Sequence, residues 1–236
     1  MCTASWLHED GGFQLFFNRD EKRSRMRAGA PRVEPRNGVL SIAPVDGDHG
    51  GTWISVNERG LALCLLNGPH GAGGSRSRGL LLSSLAGART AGEALEKLAA
   101  ADLSRYAAFT MVALQPGRKA AIAEWDGVAA KLLDDGDAQA PLASSSFDPA
   151  GVRVKRRQEF ARITGGLRAC PARLFQFHES HARGADAYSP CMHRPDAETV
   201  SFSWVKVSPR EVSFFYTPAA PCQWVPGQII AIPRAT

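Results

Sequence analysis

The sequence predicts an α+β protein built on two β-sheets, and three observations support this class. Two short strand-like runs flank an acidic and glycine-rich turn at residues 9–12, which is the pattern of a β-hairpin. Residues 61–66 are almost continuously apolar, which is typical of a strand buried on both faces, as in the middle of two packed sheets. Residues 90–93 read Thr-Ala-Gly-Glu, a capping box that begins a helix.

The remaining elements follow from their local patterns. Residues 22–51 are rich in Arg, Gly, Pro and Asp and predict a long loop, in which only residues 39–43 are strand-like. The glycine-rich residues 68–79 predict a mobile lid over a pocket, because no phosphate-binding motif accompanies them. Strands are expected at residues 52–56, 61–66, 109–114, 120–124, 128–133, 199–207 and 212–217, and helices at residues 80–85, 94–101, 152–163 and 171–180.

Length and composition indicate one globular domain. The chain has 236 residues, of which 44% are hydrophobic and 22% charged, so it can bury a substantial core but is short for two domains. Its formal charge of +5 comes partly from basic clusters at residues 22–27 and 153–157. No nucleic-acid-binding module or set of stacking aromatic residues accompanies them, so we expect a solvated face or a site for an anionic small molecule, and no nucleic-acid partner.

The five cysteines indicate a reducing compartment. Their number is odd, none forms a C-x-x-C pair, and no apolar leader precedes Cys2. No apolar run approaches the roughly 18 residues that a membrane span needs. The sequence therefore predicts a cytoplasmic protein without a transmembrane segment.

The N-terminal hairpin carries the candidate chemistry. If Met1 is removed, Cys2 bears both a thiol and an α-amino group, whose reference pKa of about 7.7–8.0 allows it to accept the thiol proton. The hairpin returns Asn18, Arg19 and Asp20 to the start of the chain. Asp20 would orient the amine and contribute little to the core, while Arg19 would bias the thiol toward thiolate. The alternative is that Cys2 is an ordinary second residue and that these charges are solvated.

Asn67 ends the most apolar strand. An Asn before Gly-Pro is most often a turn residue. In the functional interpretation it lies in the interior, near the strand of Cys2, and its amide donates to a developing oxyanion.

Two histidines near the end of a predicted helix, His178 and His181, are spaced as metal ligands often are. No third ligand at a suitable spacing accompanies them, so we assign no metal and expect both histidines to be solvated or to interact with the helix C-terminus. The roles of Cys191 and His193 stay open.

Four sequence segments together resemble a known family. They are Cys2 with the Asn-Arg-Asp-Glu run at 18–21, Gly-Gly-Thr-Trp at 50–53, residues 60–67, and Ser-Arg-Gly-Leu at 77–80. This set resembles the NRDE family, also called the transport-and-Golgi-organisation family, and the likeness is specific over residues 1–85. That family is similar to the cysteine N-terminal nucleophile (Ntn) hydrolases, such as bile-salt hydrolases and penicillin acylases. The resemblance implies a four-layer αββα sandwich.

The same resemblance implies an enzyme that hydrolyses a carbon–nitrogen bond, such as an amide. Cys2 is then the nucleophile, Arg19 and Asp20 position it, and Asn67 with a backbone N–H holds the oxyanion. Where the relatives tend to carry a pocket Asn, this chain has Ser144 and Ser145, so a backbone N–H there would donate instead. The substrate-binding candidates are Asn18, Ser144, Ser145 and Arg194, and no cofactor is expected.

A second hypothesis is a non-catalytic carrier of a hydrophobic anionic ligand, because members of the resembled family are tied to haem mobilisation and lipid homeostasis. Cys2, His8 or His70 would then touch the ligand, and the basic residues 22–27 would meet its carboxylates.

Overall fold

A computed structural model describes residues 2–68, 73–165, 169–181 and 184–235. Within these residues, thirteen strands form two antiparallel sheets that are accompanied by four α-helices. The strands are β1 (Cys2–Glu9), β2 (Gly12–Lys22), β3 (Gly29–Arg36), β4 (Val39–Val45), β5 (Ile54–Asn57), β6 (Ala62–Asn67), β7 (Phe109–Leu114), β8 (Ala121–Trp125), β9 (Ala130–Leu132), β10 (Leu142–Ser144), β11 (Ala197–Val207), β12 (Glu211–Thr217) and β13 (Gln228–Pro233). The helices are α1 (Arg78–Leu85), α2 (Ala91–Ala99), α3 (Pro149–Thr164) and α4 (Pro171–Glu179).

The first sheet has the order β10-β1-β2-β11-β12-β13 and contains the predicted N-terminal hairpin. Cys2 pairs with Arg19 on β2 and with Ser144 on β10, so the first residue of β1 lies between two neighbouring strands. The prediction that the hairpin returns residues 18–20 to the start of the chain is confirmed.

The second sheet has the order β3-β4-β5-β6-β7-β8-β9, with the apolar strand β6 at its centre. The first five residues of β6 are buried and only Asn67 at its end is exposed. Such double-sided burial is expected for a strand between two covered faces.

The two sheets pack face to face. Their shared core contains Trp6 and Phe13 from the first sheet and Val56 and Cys64 from the second, all buried. Alternate residues of each strand point into this core, as the period of a β-strand requires.

Helices cover the outer face of each sheet. Leu82 of α1 packs in one cluster with Met111 on the second sheet. Leu174 of α4 packs with Phe16 and Phe202 on the first sheet. The order helix, sheet, sheet, helix confirms the predicted four-layer αββα arrangement.

The strand-like run at residues 39–43 lies in β4, but the prediction of a long loop over the rest of residues 22–51 is wrong, because β3 pairs with β4 in a second hairpin. Its turn is Asn37-Gly38, whose φ angles of 52° and 75° are those of a tight hairpin turn that Asn-Gly favours. The strand β3 lies at the edge of its sheet, where Pro31 and Pro35 are tolerated because no central ladder bond is lost. The proline and arginine content therefore obscured an edge strand.

The predicted capping box is confirmed in α2. The side chain of Thr90 accepts a hydrogen bond from the backbone N–H of Glu93, at 3.1 Å. The predicted lid at residues 68–79 falls partly outside the described residues. None of the described helices is both long enough and apolar enough to cross a membrane.

Candidate active site

A cavity of about 330 Å³ collects the four residues predicted to be catalytic. Cys2, Arg19, Asp20 and Asn67 all line it, the first three from the N-terminal hairpin and the last from the end of β6. Pairing of β1 with β2 places Arg19 directly opposite Cys2. The hairpin register and the packing of the two sheets therefore bring together residues as far apart in sequence as Cys2 and Asn67.

Arg19 is held rigidly beside the thiol. Its guanidinium carbon lies 4.1 Å from the centre of the Trp53 ring, a cation–π contact. Its Nη2 donates to Asp46 Oδ2, and Glu21 lies 3.6 Å away. These two carboxylates compete with a Cys2 thiolate for the positive charge of Arg19.

Asp20 is fully buried and is the carboxylate of an ion pair. Its Oδ2 accepts from Arg156 Nη2 at 3.1 Å, and its Oδ1 accepts from Thr199 Oγ1 at 2.6 Å. Neither side chain of the Asp20–Arg156 pair has any exposed surface. The expectation that Asp20 contributes little to the core is therefore wrong.

Arg156 is a residue that the sequence interpretation missed. It belongs to the basic cluster 153–157, which we expected to be a solvated face or an anion site, yet it is completely buried. The signal was present in the helical period, because Arg156 lies four residues after the buried Val152 and four before the partly buried Phe160. Arg156 Nη1 also donates to Thr3 Oγ1, next to Cys2.

The thiol of Cys2 is protonated at neutral pH in the chain that still carries Met1. Burial raises its pKa, and the charge of Asp20 adds to this, against the opposing effects of the chain's amino terminus and Arg19. Arg19 does favour the thiolate, as expected, but desolvation outweighs the nearby positive charge, so the thiol stays protonated in this state.

Asn67 lines the cavity but is not an interior residue. It is exposed at the rim, which corrects the expectation that it lies inside the sandwich. Its amide remains on the same cavity as Cys2.

A second cavity of about 330 Å³ adjoins the first. It shares Asp20 and Asn67 with the first cavity and adds Ser144, Ser145 and Arg194. The three predicted substrate-binding residues downstream of β9 are therefore brought together at the site.

The three residues differ in how they are engaged. Ser144 Oγ is buried and has no hydrogen-bond partner within the described part of the chain, so its hydrogen-bonding capacity is unused there. Ser145 Oγ accepts from the backbone N–H of Phe147 at 3.0 Å and so shapes the loop. Arg194 lies 5.2 Å from the Phe147 ring and pairs with Asp196 at 2.9 Å.

Asn18 does not line either cavity and is a structural residue, which corrects its assignment to the substrate. It is fully buried, and its Nδ2 donates to the carbonyls of His178 and Pro190, both at 2.8 Å. Its Oδ1 therefore faces His178 Nδ1 at 3.0 Å, which makes Nδ1 the protonated nitrogen. His178 Nε2 then accepts from Ser5 Oγ at 2.9 Å.

His178 is buried and not solvated, contrary to the expectation for a histidine at a helix end. Burial lowers its pKa to about 3, with a further contribution from the positive charge of Arg156. It is a neutral imidazole that ties α4 to the hairpin.

Two further arginines contribute positive charge to the first cavity. Arg76 and Arg78 line it, and neither forms an ion pair with any residue that the structure describes. Arg78 Nη1 donates to the carbonyl of Ala108 at 2.8 Å, which fixes its guanidinium. Arg78 lies in the segment 77–80, which carries part of the family resemblance, but no role was predicted for it.

The groups proposed for ligand carriage are mostly engaged elsewhere. In the segment 22–27, Arg23 and Arg27 both form ion pairs with Glu198. Arg25 forms an ion pair with Asp46. His8 pairs with Asp137 at 2.7 Å. His70 lies outside the described residues.

Comparisons with known proteins agree with this architecture. The structure of a mutant conjugated bile acid hydrolase from Clostridium perfringens is similar, with a TM-score of 0.60 and 13% identity. The match covers 99% of this chain and 92% of that one. The chain also matches penicillin V acylase from Agrobacterium tumefaciens (TM-score 0.58, 11% identity, 99% of this chain and 86% of that one). A third match is the N-acylethanolamine-hydrolyzing acid amidase orthologue of Caenorhabditis elegans (TM-score 0.53, 12% identity, 85% and 91%).

At these identities the three structures establish the Ntn-hydrolase-like fold alone. No curated protein matches the sequence. A family model, "Transport and Golgi organisation 2", matches residues 1–133, which is more than half of the chain. The protein belongs to the Transport and Golgi organisation 2 family.

Proposed function

We propose that this protein is a cysteine hydrolase that cleaves the carbon–nitrogen bond of an amide in a small anionic molecule, with Cys2 as the N-terminal nucleophile. One observation carries the proposal: Cys2, Arg19, Asp20 and Asn67 line a single cavity in an Ntn-hydrolase-like fold. A cavity of this volume is in the range of small-molecule sites.

The proposed first step uses the α-amino group of Cys2 after removal of Met1. The amine accepts the Sγ proton, and the sulfur attacks the amide carbonyl to give a tetrahedral oxyanion. The carbon–nitrogen bond then breaks, the leaving amine takes the proton back from the ammonium group, and a thioester remains on Cys2. A thiol whose pKa is raised by burial needs such an adjacent base.

In the second step a water molecule gives a proton to the same α-amine and attacks the thioester carbonyl. The carbon–sulfur bond breaks, the thiolate recovers the proton, and a carboxylic acid leaves. Asn67 and Ser144 are the proposed oxyanion donors, because both residues line the second cavity and Ser144 Oγ has no partner among the described residues.

The proposed substrate carries a negative charge. Arg76 and Arg78 are cations on the cavity without a paired carboxylate in the described part of the chain. The guanidinium fork binds carboxylate or sulfonate groups with two parallel hydrogen bonds. The adjoining second cavity provides room for the other side of the scissile bond.

An amide panel tests the proposal. Penicillin V, a conjugated bile acid and an N-acylethanolamine, together with simple N-acyl amino acids, are incubated with the untagged protein, and release of the amine is measured. We expect turnover of the anionic members. The Cys2→Ala variant should be inactive, while Cys170→Ser, a change at an exposed cysteine away from the cavities, should match the wild type. Equal turnover by the Cys2→Ala variant would disprove the nucleophile.

Carriage of a hydrophobic anionic ligand such as haem or a fatty acid is the second candidate. The exposed position of Asn67 and the protonated thiol favour it, because neither is preorganised for catalysis in this state. It predicts micromolar or tighter binding of haem or fatty acid without turnover of any amide, and equal binding by the Cys2→Ala variant.

A further inference from the structure

Four metal-ligating side chains converge on the side of the first sheet that faces α4. They are His181, just after α4, Cys191 and His193 in the segment before β11, and Cys222 after β12. Their donor atoms all lie within 4.8 Å of one another. Three separate stretches of the chain thus place two sulfurs and two nitrogens around one point.

The distances in this cluster are close to those of a tetrahedral ligand set. Cys191 Sγ lies 3.5 Å from His193 Nε2, which lies 3.2 Å from Cys222 Sγ. Zinc–nitrogen bonds of about 2.0 Å and zinc–sulfur bonds of about 2.3 Å give a tetrahedron with edges of roughly 3.3–3.8 Å. The cluster therefore needs a contraction of only about 1 Å at its widest edge to bind Zn²⁺.

We propose that His181, Cys191, His193 and Cys222 form a Cys₂His₂ zinc site. This ligand set is one of the standard combinations for structural zinc, which is almost always four-coordinate and tetrahedral. On binding, both thiols lose their protons to solvent, and two thiolates with one Zn²⁺ give a site of zero net charge. That neutrality suits a partly buried position.

The backbone around the cluster holds the ligands in place. The N–H of Cys191 donates to the carbonyl of Ser180 at 3.0 Å, which joins the segment of Cys191 to the segment of His181. The N–H of His193 donates to the carbonyl of Ala185 at 2.8 Å. A disulfide between the two cysteines would leave both imidazoles without a role, whereas a metal uses all four groups.

Sequence spacing alone could not find this site. The expectation of no metal rested on the lack of a third ligand near His178 and His181. The other ligands are Cys191 and His193, which are separated by one residue, and Cys222, which lies nearly thirty residues later. Of the two histidines, only His181 joins the cluster, and His178 faces the hairpin instead.

Four protein ligands close the coordination sphere, so the proposed site is structural. It would fix the segment between α4 and β11, whose carbonyls at Pro190 and Ala187 accept from Asn18 and Arg156. Met192, between the two ligands of that segment, donates its N–H to Thr199 Oγ1 at 2.9 Å. The zinc would therefore brace the support of the hairpin, whether or not the protein is a hydrolase.

Metal titration of the full chain tests the proposal. The protein is stripped of metal with a chelator under reducing conditions, and its free thiols are counted before Zn²⁺ or Co²⁺ is added. We expect one Zn²⁺ per chain by elemental analysis, and for Co²⁺ the near-ultraviolet absorption of cobalt–thiolate bonds with the visible bands of a tetrahedral ion. Zn²⁺ should also raise the Tm.

Variants assign the ligands. His181 is exposed, so His181→Ala should fold and should bind Zn²⁺ at least tenfold more weakly than the wild type, since even loss of a supporting group costs about 10–100-fold. Cys222→Ser should lose a cobalt–thiolate contribution, and Cys170→Ser should bind as the wild type does. Absence of stoichiometric binding by protein with all thiols free, or unchanged affinity in both His181→Ala and Cys222→Ser, would overturn the proposal.

Discussion

Asp20 and Arg156 form a fully buried ion pair at the base of the candidate active site. A buried pair contributes modestly as a whole, but removal of one partner leaves an uncompensated charge in a low-dielectric interior. Asp20 also accepts a hydrogen bond from Thr199, so its position is set by two elements at once. Asp20 therefore has a structural role in addition to its proposed role beside Cys2.

We predict that Asp20→Asn lowers the free energy of unfolding by about 3–5 kcal/mol, because Arg156 is left buried and unneutralised. Chemical denaturation of the wild type and the variant measures this loss. The double variant Asp20→Asn/Arg156→Met is the control, and it should regain part of the stability. A loss below about 1 kcal/mol in the single variant would contradict the ion-pair account.

His178 makes stability depend on pH. Its pKa is about 3 in the folded protein, against 6.5 when unfolded, so the unfolded chain binds a proton that the folded chain does not. This contribution to stability is complete above pH 6.5 and is lost as the pH falls toward 3, at up to about 1.4 kcal/mol per pH unit.

We predict that His178→Gln removes this part of the pH dependence. Urea unfolding at a series of pH values between about 7 and 4 should show a shallower decline in the variant than in the wild type. His49→Gln, at an exposed histidine, is the control and should keep the wild-type slope. Equal slopes for His178→Gln and the wild type would show that His178 does not carry the effect.

Asn67 tests the oxyanion assignment. Loss of one oxyanion donor costs about 2.7–4 kcal/mol in the transition state, so Asn67→Ala should lower kcat by roughly two to three orders of magnitude with little change in KM. Asn67→Asp should be at least as damaging, because a carboxylate repels the oxyanion. Since Asn67 is exposed, both variants should unfold at the wild-type temperature. Unchanged kcat in Asn67→Ala would remove Asn67 from the mechanism.

At the residue scale, sequence reasoning found the groups that meet in the first cavity but not their partners. Cys2, Arg19 and Asp20 were within reach because a hairpin register is local. The partners Arg156 and Thr199 lie more than 130 residues away from Asp20, and their meeting depends on how α3 and β11 pack on the hairpin. Burial of Asp20, Arg156 and His178 could not be predicted for the same reason.

At the scale of elements, two of the sequence segments that carry the family likeness meet in space. The segment before β5 approaches the start of α1 so closely that the N–H of Thr52 donates to the carbonyl of Gly79 at 3.1 Å. A Cβ on Gly51 would lie 2.3 Å from the backbone carbon of Gly79. The glycines therefore allow a backbone contact that places Trp53 and Arg78 on the cavity.

We predict that Gly51→Ala destabilises the protein by about 1–3 kcal/mol, as overpacking does, and lowers activity by displacing Arg78. Thermal unfolding and turnover measure the two effects. Gly92→Ala is the matched control, because a Cβ on Gly92 in α2 would meet Thr90 Oγ1 only at 3.8 Å and Ala favours a helix by up to about 1 kcal/mol. A Gly51→Ala variant as stable as the wild type would show that the close approach is not required.

The strands and helices with clear periodicity were predictable, and an edge hairpin was not. The apolar run of β6 and the Thr90 capping box both signal their structure within a few residues. The strand β3 alternates little and contains two prolines, so its pattern resembles a loop even though Asn37-Gly38 marks its turn. Its pairing partner β4, and not its own sequence, makes it a strand.

At the scale of the whole molecule, the four-layer fold brings residues that are distant in sequence together at two sites, the cavity around Cys2 and the proposed zinc site. Cys2 at the start of β1 and Asn67 at the end of β6 line one cavity, to which both sheets contribute. On the side of α4, the connections to β11 and after β12 gather the four ligands of the proposed zinc site. The layer order could be predicted from the sequence and from family resemblance. The proximity of the four proposed zinc ligands could not, because it depends on tertiary packing alone.

The central claim is that Cys2 becomes the N-terminal residue and is acylated during turnover. The most direct measurement is the mass of the N-terminal peptide of the untagged protein, quenched in acid while it hydrolyses the best amide of the panel. The account predicts a peptide that begins at Cys2 and carries the acyl group of the substrate as a thioester. A peptide that retains Met1 in an active protein, or an acyl group on another residue with Cys2 unmodified, would contradict it.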